Sequence, residues 1–385
     1  MGGYTDAGCH KKDYYKMIDF IPTGQYTHYF DITILCLILL AVWQCNKGTI
    51  LNKDTVTINA TWGAVFTFVL ILYMGLRPVA GEFGDTINYA KGFNEYVASK
   101  EPFSWHWEEE WLFYNLMHWF AKFSDIHMFF LLCAGVYIGS LWLATVRIFK
   151  TYYYVPLLVI MGMFTFWSYG VNGIRNGLGA SLFILAMTYV NNPKVMISLI
   201  VLGTGCHNSV LLMAAAAAVT WFIKDGRLYL AGWIACVIVS YIAGGTIQSY
   251  LAEIDIISGD DRFAGYLTGD NMVGEIVQMS MVFRWDFLLY STLGVAVGYY
   301  FVVKRGFKDE YYHWIFNTYL AVNAFWVLII RAAYSNRFAQ ISWFILPLVL
   351  VYPFFKQRFW DNHEKMLGYA ILAFYAFAFY SNVLK

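Results

Sequence analysis

The sequence predicts an all-α, polytopic helical membrane protein, and three observations carry that prediction. Apolar runs recur from end to end of the 385 residues, giving a mean hydropathy of +0.52. Only 13% of residues are charged, against about 25% in ordinary soluble chains. The apolar runs are continuous, whereas a membrane β-barrel needs short alternating segments. A net charge of +1, with no basic block or arginine-rich arm, argues against nucleic acid as a partner. The six cysteines are scattered, without a CxxC pair, so neither a zinc site nor a disulfide framework is expected.

Taken in order, residues 1–28 form a polar tail in which Lys11, Lys12 and Lys16 are matched by Asp6, Asp13 and Asp19. The first apolar run starts too late for a signal peptide. A single membrane domain follows over 29–385. Its apolar segments lie near 29–45, 60–76, 127–147, 154–170, 176–191, 195–206, 208–223, 228–246, 286–303, 312–330, 338–355 and 366–382. This predicts about twelve spans, each needing roughly 20 residues. The apolar stretch 110–123 is shorter and reads as re-entrant or interfacial. Short connections at 46–59, 147–151, 191–194, 224–227, 304–310 and 356–365 all carry lysine or arginine, which makes their side cytoplasmic. The long loops 77–125 and 247–285, with both termini, then face outward. No internal repeat is visible, and aromatic clusters such as Tyr152-Tyr153-Tyr154 fit an interfacial belt.

The outward side collects the residues that could carry chemistry. Ionisable groups at the edge of a bilayer are costly to desolvate and so mark a functional site by default. The first outer loop reads RPVAGEFGDTINYAKGFNEY, with Arg77 at the lip of a span and Asp85 after a glycine turn. The same loop places Glu108, Glu109 and Glu110 ahead of a helix, where carboxylates complement the helix dipole. Glu110 is nearest the apolar run and least explained by that role. Arg175 opens the span 176–191 between Asn172 and Asn176. Snorkelling anchors account for many arginines at span ends, but those favour the cytoplasmic side, and a guanidinium matches phosphate oxygens with two parallel donors. Gly173, Gly177 and Gly179 nearby suit close helix packing rather than a dinucleotide fingerprint. His207 interrupts an apolar segment, either as a satisfied structural histidine or as a general base suited to neutral pH. Toward the C-terminus Arg331, Tyr334 and Arg337 surround a span connection. The second large loop adds Asp260, Asp261, Arg262 and Tyr266, read as a solvated turn, followed by Arg284 and Asp286. Arginines near spans at 77, 175, 284, 331 and 337 suit a polyanionic headgroup. No P-loop, HExxH or GxSxG motif is present, so the energy of any reaction has to arrive with an activated substrate.

These residues, in this order, resemble the EpsG family of polysaccharide-assembly membrane proteins, related to the Wzy-type polymerases. The resemblance rests on Arg77, Gly84-Asp85 and Tyr89, then Glu110 with Phe113-Tyr114. It continues through Asn172-Gly173-Ile174-Arg175-Asn176, His207-Asn208-Ser209 and Arg337-Phe338. It covers about residues 30–382. Asn176 stands where the family usually has glutamine, and the polar N-terminal tail is longer than the family leads one to expect. The resemblance implies a GT-C-type fold, without cofactor or metal, in the cytoplasmic membrane of a bacterium. The implied reaction transfers an undecaprenyl-diphosphate-linked oligosaccharide onto the sugar end of a second such lipid, building an O-antigen- or capsule-type polysaccharide. Arg175, Arg331 and Arg337 would then hold the diphosphate, with Arg77, Tyr89, Asn172, Arg284 and Tyr334 as further substrate contacts. His207, Asp85 or Glu110 would be the base, and the sequence does not choose among them. Expected partners are the lipid-linked oligosaccharide, membrane lipids, and the chain-length regulator and flippase of an assembly pathway. Alternatives are an O-antigen ligase or another lipid-linked glycosyltransferase, a transporter or flippase for the same lipid, and an inactive scaffold. Short, polar-poor cytoplasmic loops favour the enzyme over the transporter.

Overall fold

A computed structural model describes residues 21–99, 102–252, 282–332 and 335–384. Tyr334 and the acidic turn at Asp260, Asp261, Arg262 and Tyr266 lie outside the described residues. Within them the chain is helical and no strand occurs. Two long helices open it, α1 (Tyr26–Lys47) and α2 (Lys53–Gly75). The long connection 77–125 then contributes two shorter ones, α3 (Thr86–Ala98) and α4 (Trp111–Ala121). Next come α5 (Ile126–Phe149), α6 (Tyr154–Met161), α7 (Phe166–Val171), α8 (Ile174–Met187), α9 (Pro193–Cys206) and α10 (Ser209–Phe222). The last group is α11 (Gly226–Ala252), α12 (Trp285–Tyr299), α13 (Glu310–Leu328), α14 (Ser335–Trp343), α15 (Leu346–Lys356) and α16 (His363–Phe379).

Local chemistry sets several of these boundaries. Asp125 caps α5 by accepting the His127 and Met128 N–H groups at 2.8 and 3.1 Å. Asp309 caps α13 through the Tyr312 N–H at 2.8 Å. Asn192 caps α9, where Pro193 takes the first helical position that needs no N–H.

Of the roughly twelve expected apolar spans, some are not single continuous helices. Among the described residues, six helical segments are long and apolar enough to cross a bilayer, beginning with Thr23–Lys47 and ending with Ser335–Lys356. The expected span 154–170 is broken between Met161 and Phe166, leaving α6 and α7 as short pieces. Likewise 338–355 is broken ahead of Pro347, whose ring and missing N–H disfavour an uninterrupted helix. Helices α8, α9 and α10 have 14 residues each, about 21 Å at 1.5 Å per residue, against a hydrocarbon core of about 30 Å. Apolar pattern alone does not reveal such breaks, because a broken helix buried among others is as apolar as a whole one.

The segment Ser335–Lys356 is the axis of the bundle: its apolar window is 89% buried, while that of Gly226–Ile247 is 17% buried. Helices α11, α10 and α14 pack on α13, α8 packs on α5 and α9, and α16 closes against α1. A polar knot ties four of them. Asn323 donates to Ser291 and Ser342 at 3.1 and 2.8 Å and accepts from the Trp233 indole at 2.8 Å. Hydrogen bonds between apolar helices supply orientation that apolar contact lacks. Large apolar side chains such as Phe222, Ile242 and Trp62 are exposed on the outside of the bundle, as a lipid-facing surface requires.

The two ends of the bundle differ. One gathers the basic connections: Arg147 donates to Thr188, Lys356 to the Ile148 carbonyl, and Lys224 pairs with Glu310. The other gathers the loop 77–125, the start of α8, the end of α9 and α14. The sequence grouped these same connections by charge alone.

Candidate active site: an arginine held by a glutamate and two tyrosines

The loop 77–125 is fastened to the bundle by Arg77. This residue is 0% exposed. Its Nη1 donates to the Met74 carbonyl at 2.7 Å, and Nη2 to Thr86 Oγ1 and the Val171 carbonyl at 2.9 and 3.2 Å. The guanidinium also lies 4.6 Å from the Phe130 ring centroid. Burial pushes its pKa down to about 9, which still leaves it charged at neutral pH. Arg77 thus joins the end of α2 to the loop and to the end of α7. Gly84 follows at φ +60°, and an added Cβ would lie 2.4 Å from Asn172 Oδ1. Only glycine combines that φ with that approach. The turn lets Asn172 Oδ1 accept the Asp85 backbone N–H at 2.9 Å, which sets the start of α3.

Arg175 sits at the first turn of α8 and is met from α3 and α4. Its Nε donates to Tyr89 Oη at 3.3 Å, and its Nη1 to Tyr114 Oη at 2.8 Å and to the Glu110 carboxylate. Among the described residues Nη2 has no such partner. Tyr89 is buried, which pushes its phenol up to about 12, so the hydroxyl keeps its proton. Glu110 is 7% exposed and adopts φ 53°, ψ 35°. This left-handed conformation is unusual for a side chain with a Cβ and costs of order 1–3 kcal/mol. It turns the carboxylate inward just before α4 begins. Strained backbone of this kind persists where surrounding contacts enforce it, and here those contacts are the arginine and the histidine.

His207 lies between α9 and α10. The Ser209 N–H donates to its Nδ1 at 3.1 Å, which leaves Nε2 to carry the proton of the neutral ring. Nε2 faces Glu110 Oε1 at 3.6 Å. Ser209 Oγ lies 2.8 Å from Nδ1 and donates to Asn176 Oδ1 at 3.2 Å. The imidazole is therefore oriented from both sides. Asp85 has a different setting: it is half-buried, and one carboxylate oxygen accepts from Asn88 at 3.1 Å.

A recess of about 90 Å³ joins Asp85, Tyr89, Asn172, Arg175, His207 and Arg337, with Gln340 at its wall. It continues through Asp85, Tyr89 and Arg175 into a groove of about 370 Å³ between α3 and α4. Seven of the expected site residues are thus neighbours, Glu110 among them through its contacts with Arg175 and His207. Three are elsewhere. Arg77 is the buried clamp. Arg331 packs against α11, donating to the Tyr241 carbonyl at 3.5 Å and lying 5.3 Å from the Phe283 ring centroid. Arg284 makes a two-point pair with Asp286 at 3.0 and 2.7 Å. Neither lines the recess. Tyr114 and Gln340 were missed as site residues, although spacing offered a signal for Gln340. Gln340 lies three residues after Arg337 on α14 and so shares a helix face with it, whereas Tyr114 follows Glu110 by four residues but Glu110 precedes α4 in a left-handed conformation. Among the described residues no three of His, Cys, Asp and Glu converge as metal ligands.

Fold and site together define a helical membrane protein with an arginine–glutamate–histidine cluster, built on a buried glutamate, at one end of its bundle. The chain belongs to the EpsG family, whose family model matches residues 60–385. No curated protein and no solved structure matches it.

Proposed function

We propose that the chain is a polysaccharide polymerase of the Wzy-like kind, working at the outer face of the bacterial cytoplasmic membrane. Its donor is a glycan linked to undecaprenyl diphosphate, and its acceptor is the terminal sugar of a second lipid-linked repeat unit. The observation that carries this reading is Arg175, pre-oriented by Glu110, Tyr89 and Tyr114, with Nη2 left over and Arg337 on the same recess. Donors fixed before charge develops stabilise a leaving group without reorganisation, and paired arginines suit phosphate oxygens.

In the reaction the anomeric carbon–oxygen bond to the diphosphate breaks while the acceptor hydroxyl oxygen bonds to that carbon. The lipid diphosphate leaves with the electron pair, stabilised by Arg175 and Arg337. The hydroxyl proton passes to a base. Asp85 suits this role best, because Glu110 is committed to Arg175 and His207 uses Nδ1 on the Ser209 N–H. Glu110 and His207 then position the arginine. Membership in the EpsG family and the segregation of basic connections to the opposite end support the assignment. O-antigen or capsule-type polymer, and a GT-C-type relationship, are parts of the same proposal.

The test is incubation of the purified protein with a lipid-linked repeat unit, with product length read on a gel. A ladder of repeats is expected. Passage of the lipid across vesicles without any new glycosidic bond would instead assign a flippase.

A further inference from the structure

Beside the arginine recess lies a second, larger cavity of about 750 Å³, and its lining has the opposite chemistry. Its floor is a face of α4, with Trp111 and Tyr114 half-buried and His118 buried. One wall is α3, through Glu95, Tyr96 and Ser99. The other wall is the segment from Ser104 to Glu109, in which alternate residues Ser104, His106 and Glu108 face the cavity. Trp105 and Trp107 between them, with Phe103 ahead, meet edge to face instead, with centroids 6.3 and 5.6 Å apart. The alternation is that of extended chain, whose side chains point to opposite faces in turn. Asn115, 3% exposed, pins this wall: it accepts the His106 N–H at 3.0 Å and donates to the carbonyls of His106 and Trp111 at 2.7 and 2.6 Å. The wall is therefore built, although it has no regular secondary structure.

Two features of the lining point to its occupant. Flat aromatic surface is available: Tyr96 and His118 stack at 4.5 Å, and Trp111 and Tyr114 extend the surface toward Arg175. Carboxylates surround it, with Glu95, Glu108 and Glu109 exposed; among the described residues no lysine or arginine lines this cavity, although Lys122 Nζ donates to the Tyr96 and Ser99 carbonyls of its wall at 3.3 Å. Ionised carboxylates only accept hydrogen bonds, so they suit a ligand rich in hydroxyl or ammonium donors. The cavity also shares Glu95, Tyr96 and Tyr114 with the groove that runs to Asp85 and Arg175. One continuous channel thus changes from cationic to acidic along its length.

Resting on the polymerase reading, we propose that this acidic, aromatic cavity seats the acceptor's glycan and selects sugars without negative charge. Neutral and amino sugars enter, with ring C–H faces on Tyr96 and Trp111 and with hydroxyl or ammonium groups on Glu95, Glu108 and Glu109. Uronate sugars are repelled. The polarity of the channel would also fix the direction of transfer, since the anionic diphosphate of the donor is drawn to Arg175 and Arg337 and turned away from the acidic end.

The test is calorimetric titration of the full chain in detergent with three lipid-free tetrasaccharides of equal length. One is a neutral N-acetylhexosamine oligomer, one its N-deacetylated amine, and one a hexuronate oligomer. The amine is expected to bind at least ten-fold more tightly than the uronate, with the neutral sugar between them. In Glu95→Gln/Glu109→Gln the ratio of amine to uronate affinity should fall several-fold, and Tyr96→Ala should weaken all three. A uronate affinity equal to that of the amine, or a ratio unchanged in the double variant, overturns the proposal. Binding of free sugars requires no transfer, so the two readings fail separately. The expected binding without any polymer contradicts the polymerase alone, and polymer with unselective binding contradicts the cavity assignment alone.

Discussion

At the scale of single residues, Arg175 and Glu110 carry the account. Lysine at position 175 would keep a positive charge but lose the fork that meets Tyr89, Tyr114 and Glu110 together. Arg175→Lys is therefore expected to lower polymer formation by a factor of about 100 or more while the protein stays inserted, with the melting temperature in detergent as the control. Glu110→Gln should behave differently. It removes the negative partner of a largely buried guanidinium, which costs about 3–5 kcal/mol in a fully buried pair and less here, because the Arg175 side chain is 18% exposed. A clear fall in melting temperature together with lost activity is expected; unchanged stability would mean that Glu110 does not hold Arg175. Both residues stood out in the sequence because each was an expensive group beside an apolar run. Their pairing did not, since 65 residues separate them and nothing local records that the strained turn at Glu110 aims its carboxylate at α8.

Among the elements, the turn before α3 and the clamp behind it place Asp85. Gly84→Ala is expected to cost of order 1–3 kcal/mol through its positive φ and to push Asn172 off the Asp85 N–H, lowering transfer even when the protein folds. Arg77→Ala removes three hydrogen bonds from a fully buried cation. It should destabilise the fold by about 3 kcal/mol or more, read by thermal unfolding; a variant as stable as the parent would contradict the clamp. From sequence, Arg77 looked like a substrate ligand because an arginine at a span end is ambiguous: only its surroundings tell an anion site from a set of backbone carbonyls. Helix positions were legible for α1, α2, α5 and α11, where long apolar runs end in polar turns. The divided segments α6/α7 and α14/α15 were not, because in both cases a buried break leaves the apolar pattern uninterrupted.

For the whole molecule, the central feature is the opposition of two ends, a basic one with Arg147, Lys224 and Lys356, and one with the arginine cluster and its acidic cavity. Charge asymmetry of the loops was readable in the sequence, and it grouped the connections as the fold does. Which outer residues converge was not, since that depends on the packing of α4 against α9 and of α14 against α13. Single cysteines placed at Asn88 or Glu109, with the native cysteines replaced, should react with an impermeant maleimide in intact cells. Cysteines at Lys224 or Arg358 should react only after permeabilisation, and the reverse pattern would contradict the proposed orientation. The most direct test of the account is polymer formation by the purified parent protein beside Arg175→Lys, using one lipid-linked repeat unit and following both ladder length and release of lipid diphosphate. The account predicts a ladder from the parent, with one lipid diphosphate released for each new glycosidic bond, and neither product at a comparable rate from the variant. An undiminished ladder from Arg175→Lys, or no bond formation by the well-folded parent, would contradict it.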